Sequence, residues 1–190
     1  MAFNYKVVAF GASAGSIEPL GHILRELPTT IHAALIVVQH LSSTYPSKLD
    51  SILKSYTTLP VIKVNHNFTI EPGKVYVIAE GKFMRIVNDE LVVRDRTEEE
   101  QKLNKAIDIF FSSLAAAAGD HCMGVILSGG GGFDGIVGAV EVEKAGGLIV
   151  VQDPYTAEQP ILPKALIAND HPDYVLAPHE IAKKIIEYCK

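Results

Sequence analysis

A chain of 190 residues, 48% hydrophobic and 21% charged, is long enough to bury one sizeable core and too apolar to be a disordered segment. Its formal net charge of -5 and the absence of any Lys/Arg-rich block argue against nucleic acid or an anionic membrane surface as partner. No apolar run reaches bilayer-spanning length, and Met1 to Lys6 lacks the basic flank and apolar stretch of a signal peptide. Cys122 and Cys189 have no metal-ligand spacing, so a cytoplasmic protein with reduced thiols, no metal and no cofactor is expected.

The first predicted element is a strand from Tyr5 to Phe10. It runs into Gly11-Ala12-Ser13-Ala14-Gly15, after which Ile17, Leu20, Ile23, Leu24 and Leu27 recur at helical spacing. Pro19 falls in the first turn of that helix, where a missing N–H costs nothing, and Pro28 ends it. Strand, tight turn with a serine at its apex, then helix is the context of a nucleophile elbow. Two other readings of the turn are open, a helix cap by Ser13 and a dinucleotide loop. The second lacks the G-x-G-x-x-G spacing and a ribose-binding acid after the next strand.

That next strand is the continuous apolar run Ala34 to Val38, closed by Gln39-His40 and followed by a polar loop over Leu41 to Tyr45. Pro46 opens a short helix through Leu49, Ile52 and Leu53, and Val61 to Val64 reads as a short strand. Val75 to Ala79, Phe83 to Val87 and Leu91 to Arg94 are three short β-like runs, with a turn at Asn88-Asp89; they read as an antiparallel insertion. The charged stretch from Arg94 to Lys105 reads as a solvated loop before an amphipathic helix that turns Ile107, Phe110, Phe111 and Leu114 inward. Gly124 to Leu127 is the next buried strand, leading to Ser128-Gly129-Gly130-Gly131-Gly132-Phe133-Asp134-Gly135 and a helix seated by Ile136, Val140 and Val142. A strand at Leu148 to Val151, a short helix from Leu162, a strand at Tyr174 to Leu176 and a helix from Pro178 to Tyr188 complete the chain.

Alternating strands and helices predict one α/β domain over residues 1–190: three-layer α/β/α, doubly wound, with a mostly parallel sheet and a small antiparallel hairpin insertion. Ligands of such sheets sit beyond the carboxyl ends of the strands. That rule selects the loops carrying Ser13, His40 and Asp134, which together have the residue types of a nucleophile, a general base and an orienting carboxylate. Backbone N–H groups of Ala14 and of the Gly129 to Gly132 loop, Gly131 in particular, are candidates for an oxyanion hole. The glycine run is expected to place its slack on the strand side of the loop and leave the Asp134 carboxylate within about 3 Å of a His40 ring nitrogen.

Phe10-Gly11-Ala12-Ser13-Ala14-Gly15, Val37-Val38-Gln39-His40-Leu41, Gly124 to Gly129, Asp134-Gly135, Lys144-Ala145-Gly146-Gly147, Val151-Gln152-Asp153-Pro154 and Pro163-Lys164-Ala165, in this order, resemble the catalytic domain of the CheB chemotaxis methylesterases. Gly73 to Ala79 and Asp108 to Phe111 extend the resemblance over nearly the whole chain. It implies hydrolysis of glutamate methyl esters on the cytoplasmic helices of chemoreceptors, with release of methanol, and deamidation of certain receptor glutamines. It also implies Ser13 as nucleophile, His40 as base and Asp134 as carboxylate, with a cognate methyltransferase or a separate receiver protein as further partners. The receiver domain usual at the family's N-terminus does not precede Tyr5, so activity without phosphorylation is expected. The sequence departs from the family in one extra residue within Gly129 to Phe133, in Ser16 for a usual glycine, in Glu80 and Phe83 for a common proline and histidine, and in the approach Leu103-Asn104-Lys105. A non-catalytic interaction module and a hydrolase of another ester are the alternatives.

Overall fold

A computed structural model describes residues 3–169 and 172–190; Met1 and Ala2, which enter the reading against a signal peptide, lie outside the described residues. In chain order the elements are β1 (Lys6–Ala12), α1 (Ile17–Glu26), β2 (Ala33–Gln39), α2 (Leu49–Leu53), β3 (Val61–Val64), β4 (Phe68–Thr69), β5 (Val75–Ile78), β6 (Lys82–Val87), β7 (Glu90–Asp95), α3 (Glu98–Lys102), α4 (Ala106–Ala118), β8 (Cys122–Ile126), α5 (Ile136–Lys144), β9 (Leu148–Gln152), α6 (Ile161–Asn169), β10 (Tyr174–Leu176) and α7 (Pro178–Tyr188).

The seven-stranded sheet has the order β10-β9-β8-β1-β2-β5-β3, with every neighbouring pair parallel. Parallel strands covered on both faces must be apolar throughout, and β1, β2, β5 and β8 are buried along nearly their whole length. Successive side chains of β1 alternate between two cores. Val7 and Ala9 join the one under α4, α5 and α6, while Val8, Phe10 and Ala12 join the one under α1, α2 and α7. The three-layer, doubly wound architecture is thus present, and the chain leaves β1 toward β2 on one side and returns to β8 on the other. Among the described residues no helix is long and apolar enough to cross a membrane.

The insertion differs from the sequence reading. The run at Val75 to Ile78 is a parallel strand of the main sheet, between β2 and β3, because all four of its residues are buried. The small antiparallel sheet is β4-β7-β6, and its third strand is the two-residue β4. The charged stretch also contains a helix turn, α3, held by a capping box in which the Thr97 hydroxyl accepts from Glu100 N–H and the Glu100 carboxylate accepts from Thr97 N–H. Arg94 forks onto the same carboxylate with two bonds of 2.8 Å, which hold Glu100 down to about 2, so this clasp is ionised at every ordinary pH. The α5 helix is seated by Gly138, Ala139 and Val142, with Ile136 and Val140 only partly buried. Gly138 lets the backbones of α4 and α5 approach, since a Cβ there would lie 2.5 Å from Phe111 Cβ.

Both cysteines are free. Cys122 is fully enclosed in β8, and burial pushes its thiol up to about 12; burial likewise moves Cys189 up to about 11. Only the thiolate is nucleophilic. Iodoacetamide at pH 8 is therefore expected to leave Cys122 unlabelled in the native protein and to label it on unfolding, read by intact mass.

Candidate active site

The order of the strands brings three loops together where the winding changes direction, at the carboxyl ends of β1, β2 and β8. β1 extends two residues beyond the predicted strand, through Gly11 and Ala12, and places Ser13 immediately after its last paired position. Ala12 pairs with Gln39, and His40 N–H donates to Ala12 carbonyl at 3.0 Å, so Ser13 and His40 emerge side by side from adjacent strands. Ser13 does not cap α1. The cap position is Ser16, which is fully buried and donates its hydroxyl to the Ser13 carbonyl at 2.6 Å. Ser16, a departure from the family pattern, thus braces the turn from behind. Among the described residues, nothing is hydrogen-bonded to the Ser13 hydroxyl or to the N–H of Ala14.

Asp134 is buried, and its Oδ2 lies 2.7 Å from His40 Nε2. Sequence reasoning missed what fixes that carboxylate. Oδ2 also accepts from Ile107 N–H and Oδ1 accepts from Asp108 N–H, each at 2.8 Å. These are buried donors of the first turn of α4 that have no intrahelical partner, and the positive dipole end of the helix favours an anion there. The Nε2–H of His40, donated to this acceptor, leaves Nδ1 with a free lone pair.

The slack in the glycine run sits elsewhere than expected. Its strand side is pinned: Ser128 carbonyl accepts from Ser13 N–H, Ser128 N–H donates to Gln152 Oε1, Gly129 N–H donates to Gln159 carbonyl, and Gly129 carbonyl accepts from Leu162 N–H. The extra length bulges over Gly130 to Phe133, and Phe133 turns outward at 67% exposure, away from the Asp134 contact. Gln152, read only as part of a motif, is buried and bridges Ser128 to Thr156. Gly129 is needed for close approach, because a Cβ would stand 2.9 Å from Leu162 and 3.2 Å from Ser13 Cβ. Gly129→Ala is expected to cost about 1–3 kcal/mol and to lower turnover by displacing Ser13. Gly131→Ala, with nothing within 4 Å of the added carbon, is expected to stay within about 0.5 kcal/mol of the wild type. Thermal melts of the two variants, measured together, check the contrast.

The rim on the other side is equally tied down. Arg96 is buried, donates to Leu41 carbonyl at 3.0 Å and holds the loop that follows His40. Lys63 meets Glu80 at 2.7 Å and donates to Ser47 carbonyl. Burial works to raise the Glu80 carboxyl, but the Lys63 bond and backbone donors outweigh it and the carboxyl is lowered. The two unusual residues at Glu80 and Phe83 are thus an ion-paired carboxylate and a buried ring beneath the Arg94 and Arg96 guanidinium groups.

The sequence profile of the CheB methylesterases matches residues 8–185. The chain belongs to the CheB methylesterase family. It is 31% identical over 183 residues to a Leptospira interrogans protein provisionally named protein-glutamate methylesterase/protein-glutamine glutaminase, covering 96% of this chain and 94% of the relative. A Thermotoga maritima protein-glutamate methylesterase/protein-glutamine glutaminase is 30% identical over 190 residues; the match takes 98% of this chain but 55% of that longer protein. The crystal structure of the Thermotoga maritima CheB methylesterase catalytic domain superimposes with a TM-score of 0.87 at 28% identity, over 97% of this chain and 99% of that one. The seven-stranded sheet with its small antiparallel companion is therefore the CheB catalytic-domain fold.

Proposed function

We propose that this domain hydrolyses the γ-methyl ester of glutamate side chains on the cytoplasmic helices of chemoreceptors, through Ser13, His40 and Asp134. The observation that carries the reading is the 2.7 Å contact of His40 with a buried Asp134, beside Ser13 at the end of the neighbouring strand, whose hydroxyl has no hydrogen-bond partner among the described residues. In the proposed reaction Ser13 Oγ attacks the ester carbonyl carbon while His40 Nδ1 takes the hydroxyl proton. The negative charge moves to the carbonyl oxygen, where the N–H groups of Ala14 and Gly131 are the proposed donors. The C–OCH₃ bond then breaks, and methoxide takes the proton from the imidazolium to leave as methanol. Water, deprotonated by His40, attacks the acyl-serine; the C–Oγ bond breaks, the proton returns to Ser13 Oγ, and the released γ-carboxyl group loses its own proton to solvent to give the glutamate carboxylate. A glutamine substrate follows the same route with ammonia as leaving group.

Asp134 holds the ring in the tautomer that keeps Nδ1 basic and stabilises the imidazolium when it forms. The names of the relatives support the substrate class, and the match over 96% of this chain and 94% of the Leptospira interrogans relative supports reading residues 1–190 as one domain; a substrate on the cytoplasmic helices of chemoreceptors would put its action in the cytoplasm. A cognate methyltransferase and a separate receiver protein fit as further partners. The test is methanol release from a methylated chemoreceptor cytoplasmic fragment, with Ser13→Ala as the paired control. Turnover that depends on Ser13 supports the reading. A folded protein that binds the fragment and releases no methanol returns it to an interaction module, and turnover confined to other esters returns it to a different hydrolase.

A further inference from the structure

Asp134 comes after Phe133 and the four glycines Gly129 to Gly132, and precedes Gly135, whose φ of +103° few other residues tolerate. The loop before it is exposed over Gly130 to Phe133. On its other side the backbone is bonded to α4. Asp108 Oδ1 accepts from Gly135 N–H at 2.8 Å and from Gly138 N–H at 3.0 Å, the donors at the start of α5. The Asp108 N–H, in turn, donates to Asp134 Oδ1. Each helix therefore opens on the carboxylate supplied by the other's segment: α4 on Asp134, α5 on Asp108. Lys105 closes the group, with Nζ 3.2 Å from Asp108 Oδ2.

We propose that Asp108 is a positioning residue for the reaction: it clamps the backbone on the C-terminal side of Asp134, so that the Asp134 carboxylate stays against His40 Nε2. The inference rests on the Ser13, His40 and Asp134 reading above. The clamp depends on an acceptor oxygen at one place and not on charge. An amide at position 108 keeps that oxygen, a longer acid displaces it by a methylene, and a methyl removes it. A shift of about 1 Å in a catalytic group can cost about 10²-fold in rate.

The test measures kcat and KM for methanol release from a methylated chemoreceptor fragment by the wild type, Asp108→Ala, Asp108→Asn and Asp108→Glu. The hydrogen-bonded imidazole N–H proton of His40 is followed by NMR in the same four proteins. Asp108→Ala and Asp108→Glu are expected to lose about 10- to 100-fold in kcat at unchanged KM, together with the His40 N–H signal. Asp108→Asn is expected to keep kcat within about threefold and to keep the signal. If Asp108→Ala does not fold, the contrast between Asn and Glu carries the test. Full turnover and an intact signal in Asp108→Glu, or a kcat in Asp108→Asn as low as in Asp108→Ala, overturns the proposal, as does a loss of thermal stability with kcat and signal unchanged. Absence of Ser13-dependent turnover in the wild type strikes the functional reading instead, and the NMR signal then still reports on the clamp.

Discussion

Replacing Ser13 by Ala is expected to lower ester turnover by about 10⁴- to 10⁶-fold, with the melting temperature almost unchanged. The stability half of that expectation follows from the contacts. The Ser13 backbone is held by its N–H to Ser128 carbonyl and by its carbonyl to the Ser16 hydroxyl, and neither bond uses the side chain. The kinetic half follows from the proposed division of labour, in which without Oγ there is no covalent step and His40 has no proton to accept. For the same reason His40→Ala should be about as damaging, and the double variant little worse than either single one. Initial rates of methanol release at saturating substrate read all three. Additive losses would mean that the two side chains do not act in one step.

Asp134→Asn is expected to cost about 10²- to 10⁴-fold in kcat and, unlike Ser13→Ala, about 1–3 kcal/mol in stability. A carboxylate offers acceptor oxygens in both directions; the amide offers one. With the amide oxygen in the place of Oδ2, the NH₂ group faces the Asp108 N–H and leaves a buried donor unpaired. With the oxygen in the place of Oδ1, the NH₂ group faces His40 Nε2, which must then accept, moving the ring proton to Nδ1 and leaving Ser13 without a base. The charge at the start of α4 is lost in either case. Chemical denaturation and kcat, measured on the same preparation, are both expected to fall. A variant with wild-type turnover would mean that Asp134 is only a helix cap.

What the sequence revealed was governed by how local the determinants are. β1 and the turn after it were legible because an apolar run, a glycine-serine-glycine pentapeptide and a helical repeat lie within about thirty residues of one another. The inward face of α4 was legible for the same reason: Ile107, Phe110, Phe111 and Leu114 are all fully buried. The run at Val75 to Ile78 was misassigned because a four-residue apolar segment looks the same beside a parallel or an antiparallel neighbour. β4 has two residues, one of them exposed, and carries no periodicity to detect. The face of α5 was legible in part: Val142 is buried and Ile136 packs against the core, but Gly138 and Ala139, which hydrophobic patterning discounts, are the other buried positions. Asp108 entered the sequence reading only as the first residue of the Asp108 to Phe111 stretch that extends the family resemblance. Its bonds to Gly135 and Gly138 span a separation that no local pattern encodes.

That β1 lies at the centre of the sheet has a consequence for how the chain is made. Its partner on one side, β2, follows after a single helix, but its partner on the other, β8, is more than a hundred residues away: Val7 pairs with Cys122. At about 5–20 residues per second, a ribosome exposes β8 on the order of ten seconds after β1. During that interval the apolar edge of β1 has no strand to pair with, which is the condition under which edges recruit other chains. Non-local pairing of this kind also slows folding, because the closure entropy is spent before the contact is gained. Truncations that end before Cys122 are accordingly expected to be recovered in aggregates, while the full chain, with β8 in place, becomes resistant to protease along β1.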